Sequence, residues 1–232
     1  MIDIHCHILP GVDDGPADME QALAMARIAV EDGITTIIAT PHISDSFQDA
    51  KEIYKRTREL NQALKQHGIA LTVYPGAELP SHYDLSVWGD YTINNGKYIL
   101  IEFPHSHFPS AGARLLQEGL NQSFCPIIAH AERNPGVMRD PNLLAPLITM
   151  GVTIQITAES IAGSFGPDIQ QCAHYLLRRN MVHFIATDGH PMPNRHPRLS
   201  SGLKTAEKIL GTGKGEPLVH NNPAAVLANR PL

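Results

Sequence analysis

The chain reads as an α/β protein built as a parallel β/α barrel of about seven strands. Three observations predict this. Short runs rich in Ile, Val and Thr alternate with longer amphipathic stretches along the whole chain, the pattern of parallel strands joined by helices. The 232 residues are 43% hydrophobic, enough for one large core, and α/β barrels reach about this size as single units. No Gly-x-Gly-x-x-Gly turn interrupts the repeats, which favours a barrel over a dinucleotide fold. A single domain over 1–232 is expected.

The elements follow in order. Ile2 and Ile4 predict a first strand over 2–5. Apolar residues spaced by three and four predict a helix over 18–31, stopped by Asp32-Gly33. A strand over 35–40 leads to a helix over 50–67 that ends at Gly68. Strands over 70–75 and 98–103, a helix over 111–121 and a strand over 126–130 come next. A helix over 141–150, a strand over 152–156, a helix over 167–179 and a strand over 183–187 repeat the pattern. The Pro-rich stretch 191–197 reads as a loop, followed by helices over 200–210 and 222–228, with Pro223 near the start of the last.

Composition narrows the function. The formal net charge is −5, and no basic run or stripe suggests nucleic acid. Three cysteines, Cys6, Cys125 and Cys172, with no Cys-x-x-Cys, point to a reducing compartment. No signal-peptide pattern and no spanning apolar run is present, so a soluble cytoplasmic protein is expected. The 13 histidines stand out, because many lie near carboxylates.

Those residues fall at predicted strand ends. His5 and His7 end the first strand, and His42 follows the second in ATPH. Glu78 follows the third in YPGAE, Glu102 ends the fourth in LIEFP, and His130 ends the fifth in IIAH. Asp188 and His190 follow the seventh in IATDGH. Strand C-termini share one face of such a barrel, so residues distant in sequence converge there. His-x-His on a strand directs both rings to one side. Imidazole with carboxylate suits Zn, Mn or Fe, or Mg with fewer histidines. Alone, His-x-His fits two packed histidines equally well; seven or more such residues at successive strand ends point to bound cations.

The order His-x-His, Asp14, PH, GAE, IEFP, HAER, DGH resembles the PHP (polymerase and histidinol phosphatase) family. The opening DIHCHILPGVDDGP and the later QITAESIAGSFG are similar to bacterial capsule-type manganese-dependent protein-tyrosine phosphatases. The resemblance runs nearly end to end. It implies a distorted PHP-type barrel with three divalent ions, manganese first, with Fe, Zn, Co or Mg as alternatives. By position it implies His5, His7, Glu102 and Asp188 on one ion. Glu78, Glu102 and His130 would hold a second, with Glu102 bridging, and Asp14, His42 and His190 a third. Asp13 is then a loop neighbour. Arg133 and Arg195 would lie near substrate phosphate. The implied activity is hydrolysis of phosphotyrosine in proteins by a metal-bridging hydroxide, and the implied partner is an autophosphorylated bacterial tyrosine kinase of polysaccharide synthesis.

Rival readings are a small-molecule phosphatase such as one for histidinol phosphate, a non-catalytic metal-binding regulator of a kinase, and metal-assisted C–N hydrolysis. Cys172 and Arg178, in CAHYLLR, match the Cys-x₅-Arg of cysteine phosphatases. The stretch lacks glycine for a phosphate cradle and its spacing is helical, so the match is discounted. Cys6 is expected to point away from the flanking histidines. His105 and His107, in FPHSHF, either line the substrate mouth or are solvated loop residues. Phe108 and Tyr83 either stack on a substrate ring or cover a core edge. His183 is expected to be a satisfied core or edge histidine.

Overall fold

Among the described residues, short parallel strands form two sheets, one of three and one of five, and helices cover them. The computed structural model describes residues 1–44, 47 and 49–232. Strands β1 (Ile2–Cys6), β2 (Thr36–Ala39) and β3 (Thr72–Pro75) form one sheet in that order. Strands β4 (Glu78–Pro80), β5 (Tyr98–Glu102), β6 (Cys125–Ile128), β7 (Thr153–Thr157) and β8 (Phe184–Ala186) form the other. The longer helices are α1 (Met19–Glu31), α2 (Ala50–Gln66) and α3 (Gly112–Asn121). Three shorter ones follow, α4 (Pro135–Arg139), α5 (Leu144–Met150) and α6 (Ala158–Ala162). The last four are α7 (Pro167–Arg178), α8 (Ser200–Leu210), α9 (Glu216–Val219) and α10 (Asn221–Leu227). Among the described residues, no helix is long and apolar enough to cross a membrane.

Local chemistry sets the helix ends. The Asp18 carboxylate accepts from the Gln21 amide at 2.9 Å and starts α1, and Asp49 does the same for α2 through the Lys51 amide at 2.9 Å. Helix α2 buries Ile53, Thr57, Leu60 and Leu64, one stripe at helical spacing. Gly151, with φ 106°, closes α5 in the left-handed conformation that glycine adopts freely.

Among the described residues β3 and β4 are separate strands, where the sequence predicts one strand over 70–75. The chain breaks at Gly76, where an added Cβ would lie 2.9 Å from Ile38 Cγ2. Three residues of β4 are too few to show a period in sequence. The strand expected over 126–130 stops at Ile128, since His130 turns out of the ladder with φ 28°. Helices α4, α6 and α9 and a 3₁₀ turn at Leu85–Tyr91 were not foreseen; each has seven residues or fewer, about two turns at most.

Two apolar layers hold the strands. The larger packs their outer faces against the helices and includes Ile37, Ile99, Ile154 and Ile185 with Leu23, Leu60 and Leu176. The smaller lies on their inner faces, where Ile4, Ile38, Leu100, Ile127 and Phe184 meet Val226 of α10. In β1 the register slips between Asp3 and Cys6, so one extra residue stands opposite β2. Such a bulge turns over the strand's pleat. Ile4 therefore packs inward, while Cys6 joins the outer layer with its Sγ 3.7 Å from the Gly189 carbonyl.

The two sheets also touch at both edges. The Glu78 amide donates to the Pro41 carbonyl at 3.0 Å, and the Ile43 amide to the Glu78 carbonyl at 3.2 Å. On the opposite edge, the Asp188 amide donates to the His5 carbonyl at 2.8 Å and the His7 amide to the Gly189 carbonyl at 2.9 Å. These bonds run through the residues singled out from sequence.

Candidate metal centre

Eight of the nine candidate ligands lie at the C-terminal ends of the strands or in the loops that follow, and Glu78 opens β4 just beyond the end of β3. Their polar atoms converge. His5 and His7 face each other with Nε2 atoms 3.2 Å apart. Glu78 Oε2 lies 3.3 Å from each of those nitrogens and 3.1 Å from His42 Nδ1. Its other oxygen, Oε1, lies 2.9 Å from His130 Nε2. Asp188 Oδ1 is 3.5 Å from His5 Nε2 and 3.3 Å from His7 Nε2. At the outer end, Asp14 Oδ1 is 3.2 Å from His190 Nε2 and 3.8 Å from His42 Nε2. Glu102 is 3.6 Å from His130 Nε2 and 3.8 Å from His42 Nδ1.

Among the described residues, three sets present one donor atom each within 4.8 Å of the others. They are His7, Asp14, His42 and His190; His5, His7 and Asp188; and His42, Glu78 and Glu102. These sets cut across the grouping implied by the resemblance, with His7 also beside Asp14 and His42 also beside Glu78 and Glu102. Glu78 reaches His5, His7, His42 and His130, and Glu102 reaches His42 and His130. Glu78 enters from its own short strand, deep in the cluster and with no exposed surface, whereas Glu102 sits nearer the rim with 15% of its side chain exposed.

The donor set fits cations. Glu78 Oε2 is buried and has no hydrogen bond among the described residues, although three imidazole nitrogens surround it. A buried carboxylate in that state needs positive charge nearby. Burial disfavours a charged His5 ring, yet Glu78 and Asp188 outweigh it and raise its pKa. Burial likewise opposes charge on His7, and the nearby carboxylates of Asp13, Asp188 and Glu78 raise its pKa well above the ordinary value. Against the cost of burial, His5, His7 and Arg133 hold Asp188 well below the usual carboxylate range. Imidazole and carboxylate donors packed this closely suit a divalent ion, whose binding takes neutral imidazole and ionised carboxylate.

Neighbouring groups fix the rings. Asp13, read from sequence as a loop neighbour, accepts from His7 Nδ1 at 2.6 Å and from the amides of His42 at 3.0 Å and Gly15 at 2.9 Å. That leaves His7 Nε2 facing the cluster. Gly15 is required for this turn, since a Cβ would lie 2.5 Å from the His7 carbonyl oxygen. Gln155 Oε1 lies 3.1 Å from His5 Nδ1 and accepts from the His130 amide at 2.8 Å. The Asp188 carbonyl accepts from His190 Nδ1 at 2.8 Å. Gln155 left a signal in sequence, a polar residue inside the apolar strand TIQIT; Asp13 left none that set it apart from Asp14. His130 and Asp188 both adopt positive φ, 28° and 50°, backbone strain of the kind that collects at functional sites.

Both arginines reach the same atom. Arg133 Nη1 and Arg195 Nη2 bond Asp188 Oδ2, the second at 2.7 Å. Arg195 Nε is buried without a hydrogen-bond partner among the described residues. Phe165 lies over Arg133, its ring centre 5.4 Å from Cζ.

The remaining sequence candidates separate. His105 Nε2 lies 3.0 Å from Glu102 Oε1 and its ring stacks on His130 at 5.6 Å. His107 is exposed and pairs with Ser106. Phe108 packs on Phe103 at 4.5 Å, so it belongs to the core edge. Tyr83 packs beside His82, ring centres 4.8 Å apart. His183 Nδ1 accepts from the Ile154 amide at 3.1 Å, a satisfied histidine. Cys172 is buried in α7, where burial pushes its thiol up to about 12.

Comparison with known proteins shows the family. The chain is 38% identical to the tyrosine-protein phosphatase YwqE of Bacillus subtilis, over 91% of this chain and 86% of the relative. It is 35% identical to the putative tyrosine-protein phosphatase CapC of Staphylococcus aureus, over 84% and 79%. A solved structure from work on YwqE of Bacillus subtilis and CpsB of Streptococcus pneumoniae, described as unique metal-dependent tyrosine phosphatases, superposes with a TM-score of 0.94 at 36% identity, covering 99% of this chain and 95% of that one. The family model for capsular polysaccharide synthesis proteins CpsB/CapC matches residues 1–228, and the chain belongs to that family.

Proposed function

We propose that this protein is a metal-dependent protein-tyrosine phosphatase, a phosphoric monoester hydrolase acting on phosphotyrosine in proteins. The observation that carries the proposal is the convergence of four imidazoles on the buried Glu78 carboxylate, with two arginines beside it on Asp188. The named relatives support the same activity.

Three divalent ions are assigned, manganese first. His5, His7, Glu102 and Asp188 would hold one; Glu78, Glu102 and His130 a second; Asp14, His42 and His190 a third. When bound, such ions supply Lewis acidity toward phosphoryl oxygen and a water nucleophile available near neutral pH. The chain's own residues do the rest. Asp13 and the Asp188 carbonyl keep the Nδ1 protons of His7 and His190, and Gln155 keeps that of His5, so each ring offers Nε2. Arg133 and Arg195 bind the non-bridging phosphate oxygens, and their planar forks suit that task. No thiol is needed: Cys6 and Cys172 are buried, and burial raises the pKa of both.

The same reading takes the two sheets as one closed, distorted barrel of PHP type, supported by the main-chain bonds at both edges. It places the protein in the cytoplasm, with an autophosphorylated tyrosine kinase of polysaccharide synthesis as substrate; family membership supports that setting.

The test is metal removal by chelator and restoration with Mn, Mg, Zn or Co, assayed on a phosphotyrosine peptide and on histidinol phosphate. Manganese is expected to restore peptide hydrolysis. No restored activity on either compound would refute the enzyme, and equal turnover of both would refute the substrate.

A further inference from the structure

Beside the cluster, the ends of β4 and β5 leave a pocket of about 230 Å³. Glu102 belongs to both places. It stands in the pocket wall, and its Oε2 lies 3.8 Å from His42 Nδ1. A molecule seated there lies against a residue of the cluster. The other walls are flat and rich in carbon: Pro80, Phe103 and Pro104, with the imidazoles of His82 and His105. Both imidazoles have a ring neighbour. His105 stacks on His130 with planes 20° apart, and His82 packs on Tyr83 at 4.8 Å.

Charge decides which end of a substrate enters. The Glu102 carboxylate disfavours an anion in the pocket, so the phosphate goes to the ions and arginines and a neutral group fills the space. Size agrees, because a cavity of about 150 Å³ accepts benzene, and this pocket holds a phenyl ring with its first substituents. Imidazole and proline faces are good partners for such a ring.

We infer that this pocket is the subsite for the aryl ring of the substrate, walled by His82 and His105. The inference rests on the phosphatase reading above and adds the group that gives it a preference for tyrosine.

His82 is exposed and outside the cluster, so His82→Ala should fold. Ser81 also lines the pocket, and Ser81→Trp would fill it. The readout is kcat/KM for a phosphotyrosine peptide divided by that for glycerol 2-phosphate, which has no ring. The ratio should fall about fivefold in His82→Ala, the scale of one aromatic contact, and about tenfold or more in Ser81→Trp, with the loss in KM. The Kd of a peptide carrying non-hydrolysable phosphonomethyl-phenylalanine should rise in both variants. Unmoved ratios in both variants, or equal losses on both substrates, would overturn the subsite alone. A wild-type protein with no phosphatase activity would overturn the phosphatase reading, and the subsite with it.

Discussion

Asp13→Asn puts the sharpest question to the metal centre, because sequence alone set Asp13 aside. Its carboxylate makes three hydrogen bonds, to His7 Nδ1 at 2.6 Å, the His42 amide at 3.0 Å and the Gly15 amide at 2.9 Å. It therefore positions two proposed ligands and the turn between them. Asparagine keeps one acceptor oxygen and loses the charge that orients His7. Removing such a carboxylate behind a metal-bound histidine typically costs about 10- to 100-fold in metal affinity, or about 1.4–2.7 kcal/mol. The ions share ligands, so the loss should appear first in the site containing His7. Titrating the chelator-stripped protein with Mn by calorimetry, or competing against a chromogenic chelator, reads it directly. Activity at saturating Mn should recover in part, since no proposed ligand has been removed. An affinity within twofold of wild type would refute the positioning role and return Asp13 to loop geometry.

The other predictions concern turnover, packing and pH. His42→Ala removes a nitrogen 3.1 Å from Glu78 Oε2 and should abolish phosphatase turnover. Cys172→Ser should barely change it, because a thiol with a pKa near 12 is ionised about once in 10⁵ molecules at pH 7; the reverse pair of results would favour a cysteine mechanism. Gly119→Ala should lower stability by about 1–3 kcal/mol in denaturant unfolding, the usual cost of overpacking, because its Cβ would collide with the buried Trp88 ring. Asp3 is fully buried against Thr187, and burial raises its pKa from 3.8 to about 6. The folded state thus binds the proton more tightly than the unfolded chain, so this group's contribution is full below about pH 4 and is lost as pH rises through about 6. The loss amounts to about 3 kcal/mol. Asp3→Asn should flatten that part of the stability–pH curve, and an unchanged slope in urea titrations between pH 4 and 7 would contradict it.

Much was legible before any coordinates. The alternation of β-branched runs and amphipathic stretches is imposed by burial on parallel strands, so the seven long strand candidates and the long helices appear close to their expected places. The polar residues at strand ends were equally plain, because a histidine or carboxylate at the end of an apolar run has no packing purpose there. The short elements were not legible. Strand β4 has three residues and α9 has four, fewer than a period can reveal.

The sequence by itself determined the α/β class, the chemical types of the proposed ligands and their order along the chain, for these are local properties. Only tertiary structure decided how they meet. It set Glu78 among four of the histidines, because β4 enters deep between them. It turned Asp13 and Gln155 into ring-positioning groups, 6 and 150 residues from the histidines they hold. It joined Arg133 and Arg195 on one oxygen of Asp188. Each of these depends on the relative placement of strands, which is set by packing of the whole core and by the bulge in β1, and no short stretch of sequence carries that information.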